Sequence, residues 1–387
     1  MSGGHTERRS RDSSLDQRFG QLPIESIGHL KTLDGLRGIA ILAVVAVHLY
    51  SPIFGGGGWG VDLFFVLSGF LITKLAYEEY SRTNHFALKD FYLRRLFRLQ
   101  PAAIVFLVVM FWSSFTILSE SGFHIRRQIA FAAALSGNLY ALFYGDAPRP
   151  ALGHTWSLGL EEQFYFAWPF LLVLPLGAAF VRPRRFLRIV AVTTAASVLI
   201  GRIVVAGIVG YPHWASIPLF NIDGLAMGCL LAIFLHTATG NLPAWRPWLV
   251  WSCVVVVTLA LFVGGAIHDV DSYGLQRVVL RVVFTYCMLV AIVHSSRRPV
   301  VYLEHRLLRY FGRISYSWYL WHLPVFFYFE AAQYEGWNRV ARAVVQVSIS
   351  IVLANASNVF IERPVLSAYR RRRRERSTVP ALTAVAG

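Results

Sequence analysis

Residues 33–74 read LDGLRGIAILAVVAVHLYSPIFGGGGWGVDLFFVLSGFLITK, and they decide the fold. Two apolar runs, roughly Leu33 to Tyr50 and Trp59 to Thr73, read as helices that cross a hydrocarbon core of about 30 Å. Gly55–Gly58 lies between them as a tight turn, so the pair forms a hairpin. Arg37 and His48 are eleven residues apart. At 100° per residue that is three turns plus about 20°, so both leave one face, about 16 Å apart along the axis. One helix face thus carries a fixed cation near one membrane surface and an imidazole near the other. An ionisable group inside a spanning helix is a functional hypothesis by default.

Working outward, the 387 residues are 56% hydrophobic and only 15% charged, with a mean hydropathy of +0.51. No soluble core hides that much apolar surface. A formal net charge of +16 raises the question of nucleic acid. Most of the arginine falls in short segments between apolar runs, however, and that placement speaks for membrane topology and against a nucleic-acid partner. Cys229, Cys253 and Cys287 each lie within an apolar run, without C-x-x-C or Cys/His zinc spacing. They read as small buried hydrophobes, with no metal site expected.

Residues 1–32 are polar, with no apolar core of signal-peptide type, and are expected to form a disordered cytoplasmic tail. Eleven apolar runs follow. Basic clusters come after the second (Arg82, Lys89, Arg94, Arg95, Arg98), the fifth (Arg182, Arg184, Arg185, Arg188), the ninth (Arg297, Arg298, Arg306, Arg309, Arg313) and the last (Arg370 to Arg374, Arg376). They share one side only if the run 128–144, which contains Asn138, does not span. That run is read as a surface or re-entrant helix within a long outward loop, 119–161. The expectation is an all-α, polytopic protein of the bacterial inner membrane. It has about ten transmembrane helices, both termini in the cytoplasm, a membrane domain over 33–365 and a basic disordered tail over 366–387. Arg37 then lies near the cytoplasm, with His48 and Asp62 near the outer face.

His48 and Asp62 flank one short loop, so the carboxylate could orient the imidazole as a general base; a helix-end histidine bonded to a backbone carbonyl is the plainer alternative. Gly55–Gly58 lacks the G-K-[ST] ending of a phosphate loop and reads as a turn. In LRRLFRLQP, residues 93–101, Arg94, Arg95 and Arg98 form a fork of donors suited to phosphates, or else basic residues at anionic lipid headgroups. In GHTWSLGLEEQFY, residues 153–165, His154, Ser157 and Glu161 share one helix face while Glu162 turns about 100° away. Trp156 and Tyr165 suit an aromatic belt, which does not account for the polar triplet. Asp223 in NIDGL and His322 in YSWYLWHLP lie inside further spans, as a buried acceptor and a packing partner or in direct roles. Glu362-Arg363-Pro364 reads as an ion pair and helix stop.

These motifs in this order resemble the membrane acyltransferase 3 family. They are LDGLRGIA with Arg37 and His48 in an R-x10-H spacing, GVDLFFVLSGFLIT, the R-x-x-R of Arg95 and Arg98, HTWSLxxEEQFY, IDGLxxG, YSxYLWHxP and the closing E-R-P. The resemblance covers about 31–365. It implies about ten spans and transfer of an acyl group, commonly acetyl, from acyl-CoA to a hydroxyl. Acceptors in the family include surface polysaccharides, lipid-linked sugars, peptidoglycan and macrolides. Many relatives carry a fused SGNH hydrolase-like domain, which is not expected here.

Resemblance and topology together imply one mechanism. Arg95, Arg98 and Arg37 hold the phosphates of acyl-CoA, with Trp156, Glu162, Asp223, Tyr316 and His322 as substrate or structural support. His48, oriented by Asp62 or Glu161, takes the proton of an acceptor hydroxyl as it attacks the thioester carbonyl, so activity falls as pH drops through about 6.5. Ser157 could instead carry the acyl group. A flippase of amphiphilic anions is the rival from another class, although no internal repeat points to a transporter. A serine protease built on Ser68 and His322 is disfavoured, because V-L-S-G lacks the glycine two residues before the serine. The acceptor and the acyl chain are not written in the residues; a sugar hydroxyl of the cell envelope is favoured, with a macrolide-like molecule as the alternative.

Overall fold

The computed structural model describes residues 31–54, 58–83, 86–116, 118, 122–144, 151–177, 221–237, 281–288, 302–331 and 337–383, with isolated helical positions between 189 and 255. Every regular element among them is helical. They are α1 (Lys31–Leu49), α2 (Ser51–Phe54), α3 (Trp59–Thr83), α4 (Leu88–Ser113), α5 (Gly122–Ala133), α6 (Gly137–Tyr144), α7 (Thr155–Gly177), α8 (Ile222–Thr237), α9 (281–288), α10 (Arg306–Ala331), α11 (Arg339–Ser357), a π-helical turn (Asn358–Glu362) and α12 (Arg363–Thr383). Four stretches, Lys31–Leu49, Trp59–Tyr80, Leu88–Ser113 and Arg339–Arg373, are long and apolar enough to cross a membrane. α4 exposes Ile104, Val108, Phe111 and Trp112, a face that needs lipid as its solvent.

The core is built on two close helix pairs. α1 lies against α10 so tightly that a Cβ at Gly38 would run into the Leu308 carbonyl, and one at Gly312 into the carbonyl of Asp34. α3 meets α8 in the same way, with Gly69 against Leu225 and Gly228 against Val66. Between helices in lipid there is little hydrophobic driving force, so small residues that admit backbone contact do the packing. The glycines of the LDGLRG and IDGLAMG motifs serve that end. Leu36, Leu63, Val66, Phe70, Leu231 and Phe284 join α1, α3, α8 and α9 in one buried cluster, and Ile41, Val44, Trp318 and Phe326 join α1 to α10.

The run 128–144 does not form one helix. α5 and α6 have 12 and 8 residues, too few to span, and Leu135 between them has φ 55°, the left-handed conformation that ends helices. Asn138 is buried and exchanges amide hydrogen bonds with Gln163 at 2.9 and 3.0 Å, which stitches α6 onto α7.

Two expectations at the C-terminal end are corrected. Arg363–Thr383 is helical and not a disordered tail. Nor does the helix stop at Pro364: the Arg363 N–H reaches back five residues to the Asn358 carbonyl, and this wider turn absorbs a proline that an α-helix interior would reject. The Glu362 carboxylate accepts from Ser317 Oγ and, at 3.2 Å, from Asn358 Nδ2. The ten-span count, the Gly55–Gly57 part of the glycine turn, Cys253 and the clusters Arg182–Arg188 and Arg297–Arg298 fall outside the described residues; Cys229 and Cys287 are buried and not disulfide-bonded.

Candidate functional site

Three histidines meet at one end of the helix bundle. His48 is one residue from the end of α1, His322 lies on α10 two residues before Pro324, and His154 sits in the turn ahead of α7. The rings of His48 and His322 are 5.3 Å apart, and those of His154 and His322 5.4 Å. His322 is fully buried. Its Nδ1 lies 3.1 Å from the Trp318 carbonyl and 2.7 Å from that of Tyr319. Two acceptors there require Nδ1 to carry the hydrogen, which leaves Nε2 as a lone pair. That Nε2 is buried and makes no hydrogen bond. His322 therefore has its tautomer set and an unused base.

The hydroxyls of Ser157 and Tyr319 are 2.7 Å apart and both reach the His154 carbonyl at 3.1 Å, so one donates to that carbonyl and the other to its neighbour. Neither ring nitrogen of His154 makes a well-formed hydrogen bond. Burial pushes its pKa down from 6.5 to about 3, with the nearby His48 adding to the fall and the Leu320 backbone opposing it.

The polar triplet of α7 divides. Ser157 belongs to the histidine end, whereas Glu161 accepts from Ser68 Oγ at 3.1 Å and from Tyr165 OH at 2.9 Å, one turn further along. Asp62 is also engaged elsewhere than expected. Its Oδ1 accepts from Nε of Arg281 at 2.8 Å and from the same guanidinium's second nitrogen. Arg281, on α9, also binds the Asp223 carboxylate and, at 2.6 Å, the Asn221 amide oxygen. Arg281 is completely buried. Both carboxylates offered as orienters of His48 thus make their hydrogen bonds to other groups, and backbone carbonyls on α10 hold the imidazole of His322 instead. Arg281 was missed at the level of sequence. An arginine inside an apolar run, four residues after Arg277, was the available signal.

Some 16 Å along α1 from His48, a second polar region forms around Arg37, Arg95 and Arg98. The Arg95 guanidinium lies 2.9 Å from the centroid of the Tyr165 ring, a cation–π arrangement. Arg37 and Arg95 both act electrostatically on Arg98. Glu161 and Glu162 are within Coulombic reach of Arg95, and Glu362 of Arg98. Tyr316 OH donates to the Leu99 carbonyl at 3.0 Å. The Nε atoms of Arg37 and Arg95 are buried without an acceptor. Arg94 is not part of this fork: it pairs with Glu79 at 2.8 Å. Trp156 packs edge-on against Phe65, ring centroids 5.9 Å apart. Among the described residues no group of three or more His, Cys, Asp or Glu is arranged to hold a metal ion.

A cationic fork and a buried imidazole cluster thus lie about 16 Å apart along α1, which carries Arg37 toward one end and His48 at the other. Residues 30–356 match the family model described as an acyltransferase domain. The O-acetyltransferase OatA of Staphylococcus aureus strain NCTC 8325 / PS 47 is 28% identical over 364 residues, covering 87% of this chain and 57% of that protein. The protein of the same name from strain COL matches to the same extent. The chain therefore spans less than two thirds of the length of these relatives. No solved structure matches.

Proposed function

The chain belongs to the acyltransferase family that its residues 30–356 match, and from that premise we propose that it is a membrane O-acyltransferase moving an acetyl group from acetyl-CoA to a hydroxyl of a cell-envelope carbohydrate or glycolipid. The relatives named O-acetyltransferase support the acyl group and the bond type. The observation that carries the reading is the free Nε2 of His322 beside His48 and His154, with His48 on the helix whose other end carries Arg37, next to Arg95 and Arg98 of α4. In this reading the arginine end faces the cytoplasm, where acyl-CoA is found, and the histidine end faces outward.

Arg37, Arg95 and Arg98 hold the donor's phosphates, and Tyr165 keeps the Arg95 guanidinium in plane beneath them. The pantetheine arm extends along the bundle toward the histidines. The acceptor oxygen attacks the thioester carbonyl while an imidazole Nε2, of His48 or of His322, takes the hydroxyl proton. The new C–O bond forms, the C–S bond breaks, and the imidazolium returns the proton to the departing CoA thiolate. The Ser157 hydroxyl is occupied by Tyr319 and a backbone carbonyl and not by an imidazole, which favours direct transfer over an acyl-serine. Asp62, Asp223 and Arg281 act as positioning residues that fix α3, α8 and α9.

The test is release of free CoA from acetyl-CoA by the protein in proteoliposomes. His48→Ala and His322→Ala are expected to lower it by about 10²–10⁴-fold, and Arg95→Ala to weaken acetyl-CoA binding. A folded protein that neither consumes nor binds acetyl-CoA or longer acyl-CoAs, with envelope extract as acceptor, would replace this reading with a flippase.

A further inference from the structure

α12 brings a second set of arginines to the Arg37 end of the molecule. Arg363, Leu366, Ser367, Arg370 and Arg371 recur at helical spacing and line an open cleft of about 440 Å³. An adjoining flank of the same helix is fastened to α4. Tyr369 stacks on Phe97 at 4.8 Å between centroids, and Arg373 meets Asp90 at 2.6 Å. Two strongly basic segments, α12 and the stretch of α4 that carries Lys89, Arg95 and Arg98, are thus held side by side. Their mutual repulsion is offset locally by Asp90 alone among those pairs. Arg371 has Glu375 one turn on at 3.5 Å, but both side chains are well exposed, so a phosphate displaces that contact at little cost.

The cleft lies near the arginine fork. Glu362, at the start of α12, feels both Arg98 and Arg363, which places the Arg363 end of the cleft beside the fork. From Arg363 to Arg370 is about 10 Å of helix axis, a span suited to two separate phosphate groups and longer than one headgroup phosphate needs. We propose that this face of α12 binds the nucleotide end of the donor, with its guanidinium groups on the ribose 3′-phosphate of acyl-CoA. The inference rests on the acyl-CoA reading above and adds to it a site for the phosphate most remote from the thioester.

The experiment is equilibrium binding of acetyl-CoA and of its 3′-dephospho form to the full-length protein in a neutral detergent. Wild type is expected to bind the dephospho form about tenfold more weakly, the scale of one charge-assisted contact. Arg370→Ala/Arg371→Ala is expected to bind acetyl-CoA about tenfold more weakly and to lose the preference between the two. Equal binding of both by wild type overturns the proposal without any variant. So does a double variant that keeps the preference, or a defect that appears only in vesicles containing anionic phospholipid, which would make α12 a headgroup site. Wild type that binds neither form removes the acyl-CoA reading itself, a result distinguishable from the others.

Discussion

Two arginine environments in this protein differ in one respect. Arg281 is completely buried, yet its guanidinium is matched by Asp62, Asp223 and Asn221. Arg37, Arg95 and Arg98 crowd one another, and among the described residues none of the three forms an ion pair; two of their Nε atoms are buried with no acceptor. A cation whose partners are all supplied by the chain holds helices together. A cluster of cations that makes no ion pair of its own, with Glu161, Glu162 and Glu362 at Coulombic range only, suits an anion supplied from outside.

That contrast can be broken at several points. Arg281→Ala strands two buried carboxylates and should cost about 3–5 kcal/mol of stability, read as a large fall in the thermal unfolding temperature in detergent; adding Asp62→Asn and Asp223→Asn should restore part of it. An Arg281→Ala protein as stable as wild type would show that the group does not hold α3, α8 and α9. Arg95→Ala should weaken acetyl-CoA binding about tenfold or more while changing the unfolding temperature little, since relief of like-charge repulsion offsets the lost contact with Tyr165 and the attraction of Glu161 and Glu162. Arg95→Lys should recover only part of the affinity, because an ammonium cannot lie flat on the Tyr165 ring and offer a fork. If Arg95→Ala lost stability in step with affinity, the two environments would not differ in kind.

Arg94→Ala marks the small end of the scale. Its pair with Glu79 is partly exposed, so stability should change by less than about 1 kcal/mol and donor affinity not at all. The pH profile supplies a separate check on the histidines. Protonation removes an imidazole base, so the rate should fall as pH drops through the pKa of the working imidazole. His154 is held neutral down to about pH 3. The acid limb should therefore survive His154→Gln at an unchanged pH; its disappearance would make His154 the titrating base.

Much of this was legible in the residues. Arg37 and His48 share a face because helical geometry is rigid over three turns, and the motif glycines announce backbone contacts that no other residue permits. Asn138 within 128–144 is a polar residue that needs a partner, and Gln163 supplies it. What could not be read were pairings across long stretches of chain. Asp62 seemed to belong to its near neighbour His48, yet it bonds to Arg281, 219 residues away. Glu161 seemed to continue the face of His154 and Ser157, but α7 begins one residue after His154, and Tyr165 and Ser68 take the carboxylate one turn on. The orienting role expected of a carboxylate falls to the carbonyls of Trp318 and Tyr319, groups that every residue possesses and that no motif reveals.

The π-helical turn Asn358–Glu362 has a consequence for the direction in which α12 presents its charge. An extra residue in one turn advances the angular phase of everything beyond it by about 100°. The arginines of α12 therefore point where they do by virtue of a single inserted position, with α11 and α12 otherwise one continuous rod. Straightening that turn into ordinary α-helix with all five of its residues kept would leave the composition, length and charge of α12 intact. It would also rotate the cleft arginines a quarter-turn or more around the helix axis, and with them the sector of solvent they address.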